Sequence, residues 1–357
     1  MIAHLCCSVD AGYFLKRLKD DFPNEKITGF FYDPNIHPYS EFKLRSLDTK
    51  RICEKLGIDY VEGEYNYEGW LRAVKGKENE PEKGIRCSIC FDFSLEEAAR
   101  FAKNNKDTKV TTSLLMSPMK SHEQLEKTGK VIKRKYSVEF LAVDYRKKGG
   151  TQAQQEYAKE NQMYRQDYCG CLYGIWQQKE SQEIIDELIS PYPFQKLPAS
   201  IEERLEFYEN RLNLEEERIK YKIIKENFLN YRLLKSKITS KKNVINHYTL
   251  FYSFLDRAQR VRIELENEEI GYANRAQVIF VKLSKINALL NKKYQNIKDI
   301  YKMPLNLEEE LLIREKITKS KYNLSPIIIL EKFEDIRYDI EIEAKIYPDN
   351  KEILIKF

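Results

Sequence analysis

The chain lacks any run of about 20 apolar residues, the length that a membrane-spanning helix needs. Its first residues also lack the basic segment and apolar core of a secretory signal, so we expect a soluble protein without a membrane partner. Glycine and proline are scarce, at 13 and 11 of 357 residues, which excludes collagen-like and low-complexity chains. With 42% hydrophobic residues and a net charge of only +5, the sequence is typical of an ordered globular protein, and its length suits two domains.

Cysteine is also scarce, but its distribution is informative. Seven cysteines are too few, and odd in number, for a disulfide-rich secreted protein, so we expect a reducing, cytoplasmic environment. Cys53 stands alone on the apolar side of a predicted helix, which favours core packing. The other six form close pairs, in which two thiols can share a metal or exchange electrons. These pairs are Cys6 with Cys7, Cys87 with Cys90, and Cys169 with Cys171.

The spacing within the first two pairs favours metal binding. Adjacent thiols such as Cys6 and Cys7 do not readily form a disulfide with each other, because the ring that it closes is small and strained. The two-residue gap between Cys87 and Cys90 occurs in zinc sites, iron–sulfur sites and redox dithiols alike. Taken together, the four thiols favour a metal ion or a cluster over a redox dithiol or structural thiols.

Two further features belong to the same chemistry. Asp10 follows Cys7 by three residues; it can hold a second metal ion, which would offset the repulsion from thiolates, or it can cap a helix beginning near Ala11. The single glycine between Cys169 and Cys171 lets the backbone bend far enough for a strained, easily reduced disulfide, which suits a two-electron donor. Metal ligation and idle thiols are the alternatives for this last pair.

Strand-like and helix-like segments alternate over about the first 180 residues. This alternation implies an α/β, Rossmann-like domain with a mostly parallel sheet and helices on both faces. Ligands bind beyond the carboxyl ends of such strands, so we expect the loops there to share one crevice. The loops hold Cys6, Cys7 and Asp10, residues 33–38, Ser117 with Pro118, and residues 144–146. Strands are predicted at 2–5, 27–32, 58–61, 109–114 and 138–143, and helices at 13–22, 39–56, 87–104, 121–136 and 152–163.

The second half has a different composition. Three prolines mark a linker at about residues 190–199, so we predict a catalytic domain over 1–190 and an α+β accessory domain over 200–357. The accessory domain is predicted to be helix-rich, with a helix or helical hairpin at 201–238, a strand at 261–265, and a terminal β-hairpin formed by 339–347 and 351–357.

Basic clusters suggest where a nucleic acid could bind, although most charge runs are only solvated faces. They could contact tRNA phosphates, and aromatic side chains beside them could stack on unpaired bases. The clusters lie at residues 133–135, 146–148, 235–242 and 282–293, with Tyr231, Tyr248 and Phe251 near the last two.

Six segments of the first half carry a family resemblance when they are taken together and in order. They are residues 4–7 (HLCC), 32–38 (YDPNIHP), 86–90 (RCSIC), 112–118 (TSLLMSP), 144–147 (DYRK) and 164–171 (YRQDYCGC). Over about residues 1–180 the chain resembles epoxyqueuosine reductases of the QueH family, and the second half is not covered. The resemblance implies reduction of epoxyqueuosine in tRNA to queuosine, the final step of queuosine biosynthesis, without cobalamin.

The resemblance also implies cofactors, partners and individual roles. The implied ligands of a [4Fe-4S] cluster are Cys6, Cys7, Cys87 and Cys90. Asp10, together with Cys7, would hold an adjacent mononuclear iron, although many members have a cysteine near position 10. Cys169 and Cys171 would form a redox-active disulfide. The implied partners are an electron donor and a queuosine-type tRNA, bound through its anticodon arm. Candidates for substrate contact are Asn35, His37, Arg146 and Arg165.

Other classes of protein combine similar features. A tRNA-thiolating enzyme can also join an α/β nucleotide domain to a cysteine-bound cluster, but it needs a glycine-rich phosphate loop, and residues 7–12 offer one glycine only. A non-enzymatic iron–sulfur sensor that binds nucleic acid would not require the pair of Cys169 and Cys171. Zinc in place of iron is a third alternative.

Overall fold

The computed structural model describes residues 1–118, 120–178, 195–275 and 277–357. In the first half, five strands alternate with helices, and a short 3-10 turn, Ser113–Leu115, follows the fourth strand. The strands are β1 (Ile2–Leu5), β2 (Thr28–Phe31), β3 (Asp59–Glu62), β4 (Lys109–Thr112) and β5 (Glu139–Phe140). The helices are α1 (Ser8–Asp21), α2 (Tyr39–Lys55), α3 (Tyr67–Ala73), α4 (Ile85–Asn104), α5 (His122–Tyr136), α6 (Gly150–Glu160) and α7 (Leu172–Gln178).

The five strands form one parallel sheet with β1 at its centre, in the order β3-β2-β1-β4-β5. Every residue of β1 is buried, because alternate side chains face opposite helix layers. Leu5 packs in one core with Phe14 of α1, and Ile2 packs in another with Ala98 of α4. The predicted Rossmann-like α/β fold is therefore confirmed. Its strand order reverses between β1 and β4, and a ligand crevice is expected at such a switch point.

Differences from the predicted elements are small in this half. Helix α1 begins at Ser8, earlier than predicted, and the last strand is shorter, because β5 pairs only through Glu139 and Phe140 at the edge of the sheet. The short helices α3 and α7 were not predicted, since seven residues hold too few turns for a clear apolar period. Cys53 is fully buried in the core, as its isolated position on an apolar face indicated.

The chain divides into two compact units. One holds the described parts of Met1–Leu188 with Arg204–Tyr221 and Lys356–Phe357, and the other holds those of Ile189–Glu203 and Lys222–Ile355. Most of helix α8 (Ile201–Glu216) thus belongs to the first unit, where Arg211 is buried and donates to the Gln162 carbonyl over 2.6 Å. Much of the predicted linker, residues 190–194, lies outside the described residues, and the border between domains 1–190 and 200–357 stays a prediction.

The second half is an α+β structure, as predicted. One sheet has the order β10-β11-β12-β13-β8 and the other β7-β6-β14-β9. The strands are β6 (Tyr221–Ser240), β7 (Asn243–Val244), β8 (Tyr248–Thr249), β9 (Gln259–Val261), β10 (Glu264–Leu265), β11 (Ile270–Ala273), β12 (Val278–Lys282), β13 (Ile327–Leu330) and β14 (Tyr338–Lys356). The helices are α9 (Leu283–Leu290), α10 (Ile297–Lys302) and α11 (Leu307–Thr318).

Three local predictions for this half are wrong. The helical prediction for 201–238 holds only to Glu216; Arg218 adopts a positive φ of 58°, and the β-branched and aromatic residues that follow form β6. The predicted terminal hairpin is one long strand, β14, because its partner is β6, to which Asp349 is tied by a 2.7 Å hydrogen bond from Asn230. The predicted strand at 261–265 is divided between β9 and β10, in different sheets.

Two further observations bear on partners. Tyr231, Tyr248 and Phe251 are buried in the second unit, so they do not offer the exposed stacking surfaces that the sequence suggested. No helix in the described part of the chain is both long and apolar enough to cross a membrane.

Candidate metal and redox site

Strand β1 delivers two thiols and a carboxyl group to the switch point. Cys6 follows the strand, and Cys7 is the extended residue that precedes α1. Asp10 lies in the first turn of α1, so it is not the helix cap that the sequence left open. The Cys6 sulfur is 3.9 Å from the Cys7 sulfur and 3.6 Å from Asp10 Oδ2. One ligand atom from each of the three residues falls within 4.8 Å of the others, close enough to surround one ion.

Burial makes the ionised form of this cluster unfavourable without a cation. Burial raises the pKa of Asp10, although hydrogen bonds from Cys6 and from Gln154, at 2.7 Å, oppose the shift. The hydrogen bond between Cys6 and Cys7, together with burial and nearby negative charge, raises the pKa of Cys6 well above its ordinary value. A cation among the three groups would favour their deprotonated forms. Two sulfur ligands and one oxygen ligand therefore fit a single iron or zinc ion.

Helix α4 supplies the second pair. Cys87 and Cys90 are three residues apart near its start and hence lie on the same face. Cys90 lines a cavity of about 570 Å³ together with Cys6 and Cys7. Cys87 and Cys90 both line a smaller cavity that shares several of its walls with the first. In the described chain, the tight ligand group contains neither Cys87 nor Cys90, so these two do not complete the site of a single ion with Asp10.

The third pair lies in a backbone segment that is fixed on several sides. Gly170 has a positive φ of 115°, and a Cβ there would lie 2.9 Å from Ile36, so glycine is required for both reasons. The Gly170 carbonyl accepts from the His37 N–H over 2.9 Å, and the Cys169 carbonyl accepts from Arg45 over 2.9 Å. Cys169 and Cys171 are free thiols that line the smaller cavity beside Cys87 and Cys90. Six paired thiols are thus brought to two adjoining cavities.

Loops from three neighbouring strands line the larger cavity. Asp10 comes after β1, Asp33 and Asn35 after β2, and Ser117 and Lys120 after β4. The predicted crevice is therefore confirmed for these loops. It is wrong for residues 144–146, none of which is among the described residues that line it.

The four substrate candidates have different positions. Asn35 is buried at the cavity wall, and its Oδ1 has no hydrogen-bond partner among the described residues. The other three are not among the described residues that line either cavity. The ring of His37 stacks on Tyr67, Arg146 donates to the carbonyls of Ser117 and Lys120, and the exposed Arg165 donates to the carbonyl of Gln155.

Several residues at the site were not singled out from the sequence. Asp33 follows β2 within the predicted ligand loop, so its position was indicated but not its role. Burial raises its pKa to about 8, although Arg45 and Lys120 oppose the shift, and its Oδ2 has no hydrogen-bond partner within the described chain. Gln154, Arg45 and Lys120 come from segments with no recognisable motif, and only the fold brings them to the thiols.

Comparison with known proteins decides which family this site belongs to. The family model described as "Epoxyqueuosine reductase QueH" matches residues 1–177. A protein named epoxyqueuosine reductase QueH from Helicobacter pylori is 39% identical over 358 residues, covering 96% of this chain and 97% of that one. The chain belongs to the QueH family. It is therefore an oxidoreductase, and its second half, which the resemblance did not cover, is shared with a family member.

Shorter members of the family match only about half of the chain. The QueH proteins of Histophilus somni and Thermotoga maritima are 35% and 33% identical over 176 and 184 residues, or 49% and 50% of this chain. These matches cover 72% of the Histophilus protein and 92% of the Thermotoga protein. Nearly the whole Thermotoga protein thus aligns with only half of this chain.

A search of solved structures gives a weaker likeness. The U34-tRNA thiolase NcsA from Methanococcus maripaludis, solved with its [4Fe-4S] cluster, is 14% identical. The match covers 60% of this chain and 66% of that one, with a TM-score of 0.31. A similarity this low carries no argument about function.

Proposed function

We propose that this enzyme reduces the epoxide of epoxyqueuosine in tRNA to the alkene of queuosine. The observation that carries the proposal is the gathering of six paired thiols and one carboxyl group at the switch point of the sheet, in a member of a family named for this reduction. Such a soluble tRNA-modifying enzyme would work in the cytoplasm. Family membership favours the reductase over a thiolating enzyme or a non-enzymatic sensor.

The donor groups divide into three roles. The proposed ligands of a [4Fe-4S] cluster are Cys6, Cys7, Cys87 and Cys90. Asp10, with Cys7, would hold a mononuclear iron, in line with the close approach of their ligand atoms. When bound, these groups would supply one-electron transfer and a Lewis acid for the epoxide oxygen. Zinc would satisfy the same ligands of the single ion but would not transfer electrons.

Electrons and protons balance around the third pair. Conversion of the epoxide to an alkene and water consumes two electrons and two protons, and oxidation of Cys169 and Cys171 to a disulfide releases two of each. An external dithiol would then restore the reduced pair by exchange. The closeness of this pair to Cys87 and Cys90 at the smaller cavity supports direct electron transfer between them.

Asp33 is suited to hold one of the protons. Because its pKa is raised to about 8 by burial, the carboxyl group is mostly protonated at pH 7. The unpartnered Oδ2 belongs to a residue that lines the cavity, so a substrate oxygen bound there could take the proton as a C–O bond breaks. The unpartnered Oδ1 of Asn35 would accept a hydrogen bond from an N–H or O–H group of the substrate.

The deciding experiment uses anaerobically purified protein, analysed for iron and sulfide and incubated with epoxyqueuosine-containing tRNA and a dithiol. We expect queuosine by nucleoside mass analysis, and absence of product from fully loaded protein would refute the proposal. The Cys169→Ser, Cys171→Ser double variant should lose multiple turnover. Cys53→Ala is the matched control, since Cys53 is buried away from both cavities.

The second unit is proposed to assist tRNA binding rather than the reduction, because the family model matches residues 1–177 and the Thermotoga protein aligns with only about half of this chain. A chain ending near residue 195 would be a poor test, since it would also lose the buried Arg211 from the first unit. Lys241→Gln with Lys242→Gln removes two exposed charges of the second unit instead. If they contact phosphates, the slope of log affinity against log salt falls by roughly one per contact. The exposed Lys133 and Lys135 offer the matched pair in the first unit, and equal slopes in all variants would contradict a role for the second unit.

A further inference from the structure

The Cys169–Cys171 pair is asymmetric in its surroundings. Cys169 is half-buried and lines both cavities, whereas Cys171 is only 7% exposed and packs in a cluster with Trp70. Burial raises the pKa of Cys171 to about 11, so this thiol keeps its proton at neutral pH. Only one member of the pair is therefore in a position to react readily with a solute.

Lys120 adds a charge to this asymmetry. Its Nζ lies 3.0 Å from the Cys169 sulfur, and its side chain is 9% exposed, with the ammonium 5.7 Å from the ring centre of Phe91. Burial alone would lower the pKa of Lys120. The interaction with Cys169, through charge and a hydrogen bond, outweighs burial and raises this pKa, and Cys87 and Cys90 act in the same direction. A buried ammonium requires a negative partner at contact distance. The Glu82 carboxylate is farther away, at 4.0 Å.

The other charged groups nearby have contacts of their own. Arg45, the second cation at the larger cavity, donates to Glu41 and to the carbonyls of Tyr168 and Cys169. Arg86, at the smaller cavity, donates to the carbonyls of Glu78 and Glu80. Asp10 accepts from Gln154, and the charge of Lys120 opposes the raised pKa of both Asp10 and Asp33, which line the larger cavity with it. In the described chain, Lys120 is the cation for which a hydrogen bond to a Cys169 or Cys171 sulfur is found.

We propose that Lys120 is a positioning residue whose ammonium group holds and activates the Cys169 sulfur, so that Cys169 rather than Cys171 is the nucleophile of the pair. Only the part that Cys169 plays in turnover rests on the proposed function. The contact itself predicts a measurable difference in reactivity between two thiols that are two residues apart.

Alkylation of the phosphine-reduced holoenzyme with iodoacetamide tests the assignment without tRNA. The thiolate sulfur attacks the methylene carbon, a carbon–sulfur bond forms and iodide leaves, so the labelling rate follows the thiolate population. We expect Cys169 to be labelled before Cys171. Lys120→Met should slow labelling of Cys169 about tenfold or more, because the sulfur loses a hydrogen bond from a charged group, and such a bond changes an equilibrium by about tenfold or more. Lys120→Arg should restore the rate.

The controls separate reactivity from folding and from turnover. Cys53 is fully buried, so its protection from the label reports that the fold is intact. Lys147→Met removes an exposed lysine of the same unit and should change nothing. Equal rates in the native protein and Lys120→Met, or earlier labelling of Cys171 in the native protein, would overturn the assignment. If Cys53 becomes labelled in Lys120→Met, that variant is misfolded. The order in which Cys169 and Cys171 are labelled in the native protein and in Lys120→Arg then tests the assignment. A double serine variant that still turned over would refute the disulfide role and leave this result standing.

Discussion

Replacing Gln154 by leucine should weaken metal binding at the proposed Asp10 site without removing any of the proposed ligands. Gln154 is buried on α6, and its Nε2 donates to Asp10 Oδ1 over 2.7 Å, which leaves Oδ2 facing the Cys6 sulfur. Leucine is similar in size but cannot donate, so the carboxylate loses the contact that orients it. The other losses are small, because the second bond of Nε2, to the Val9 carbonyl, is long at 3.4 Å and Oε1 has no partner in the described chain.

Two independent estimates give the same magnitude. A hydrogen bond to a charged group contributes roughly 1.5–3 kcal/mol. Loss of a residue that orients a metal ligand lowers metal affinity about 10- to 100-fold, and each tenfold is about 1.4 kcal/mol. We therefore expect the dissociation constant of the single ion to rise by one to two orders of magnitude in Gln154→Leu.

Anaerobic titration of metal-free protein with Co²⁺, against a competing chelator, provides the measurement, since bound cobalt–thiolate absorbs visibly. Gln152→Leu is the matched control, because Gln152 lies on the same helix but is exposed and bonds Glu156. A dissociation constant that changes less than threefold in Gln154→Leu, or equally in both variants, would show that Asp10 is not oriented in this way.

Three further predictions concern buried charges. Burial lowers the pKa of His4 to about 4, so between pH 6.5 and 4 the unfolded chain takes up a proton that the folded chain does not. The stability of the first unit should therefore fall by about 3 kcal/mol as the pH falls across that window. Urea unfolding of His4→Gln should show a weaker pH dependence. Arg45→Met leaves the buried Glu41 carboxylate without its ion-pair partner, with the Tyr164 hydroxyl still donating to it, and should cost about 3–5 kcal/mol in the same assay, more than in a variant that also carries Glu41→Gln. Asp33→Asn should slow single-turnover reduction at least about a hundredfold with full iron content, and an unchanged rate would remove Asp33 as a proton donor.

The features of the site that could be predicted are those that depend only on residues close together in the chain. Strand β1 and the thiols after it could be placed from an apolar run and a residue spacing, because both depend only on neighbours in the chain. The same reasoning left Asp10 undecided between a helix cap and a ligand, since it depended on where α1 begins. In the structure α1 begins at Ser8, so Asp10 lies within its first turn rather than at the cap position, and it contacts Cys6.

Prediction was weakest where a partner strand decides conformation. Residues 221–240 carry apolar side chains that also suit a helix, but pairing in the sheet with β14 holds them extended. The same pairing overrides the turn expected at Pro348, since Asp349 accepts from Asn230 of the neighbouring strand. Tyr231 illustrates a related limit, because burial rather than residue type decides whether an aromatic ring can stack on a base.

The sequence by itself determined the order of the five strands and the five longer helices in the first half, the thiol pairs and the resemblance to QueH proteins, because these depend on spacings of a few residues. Only the tertiary structure decided which side chains stand beside those thiols. Lys120 bonds the Cys169 sulfur, Arg45 the Cys169 carbonyl and Gln154 the Asp10 carboxylate, over separations of 49 to 144 positions along the chain that the packing of α6, the loop after β4 and α2 brings to hydrogen-bond distance. Such distances follow from how helices pack across a parallel sheet, and no local pattern encodes them.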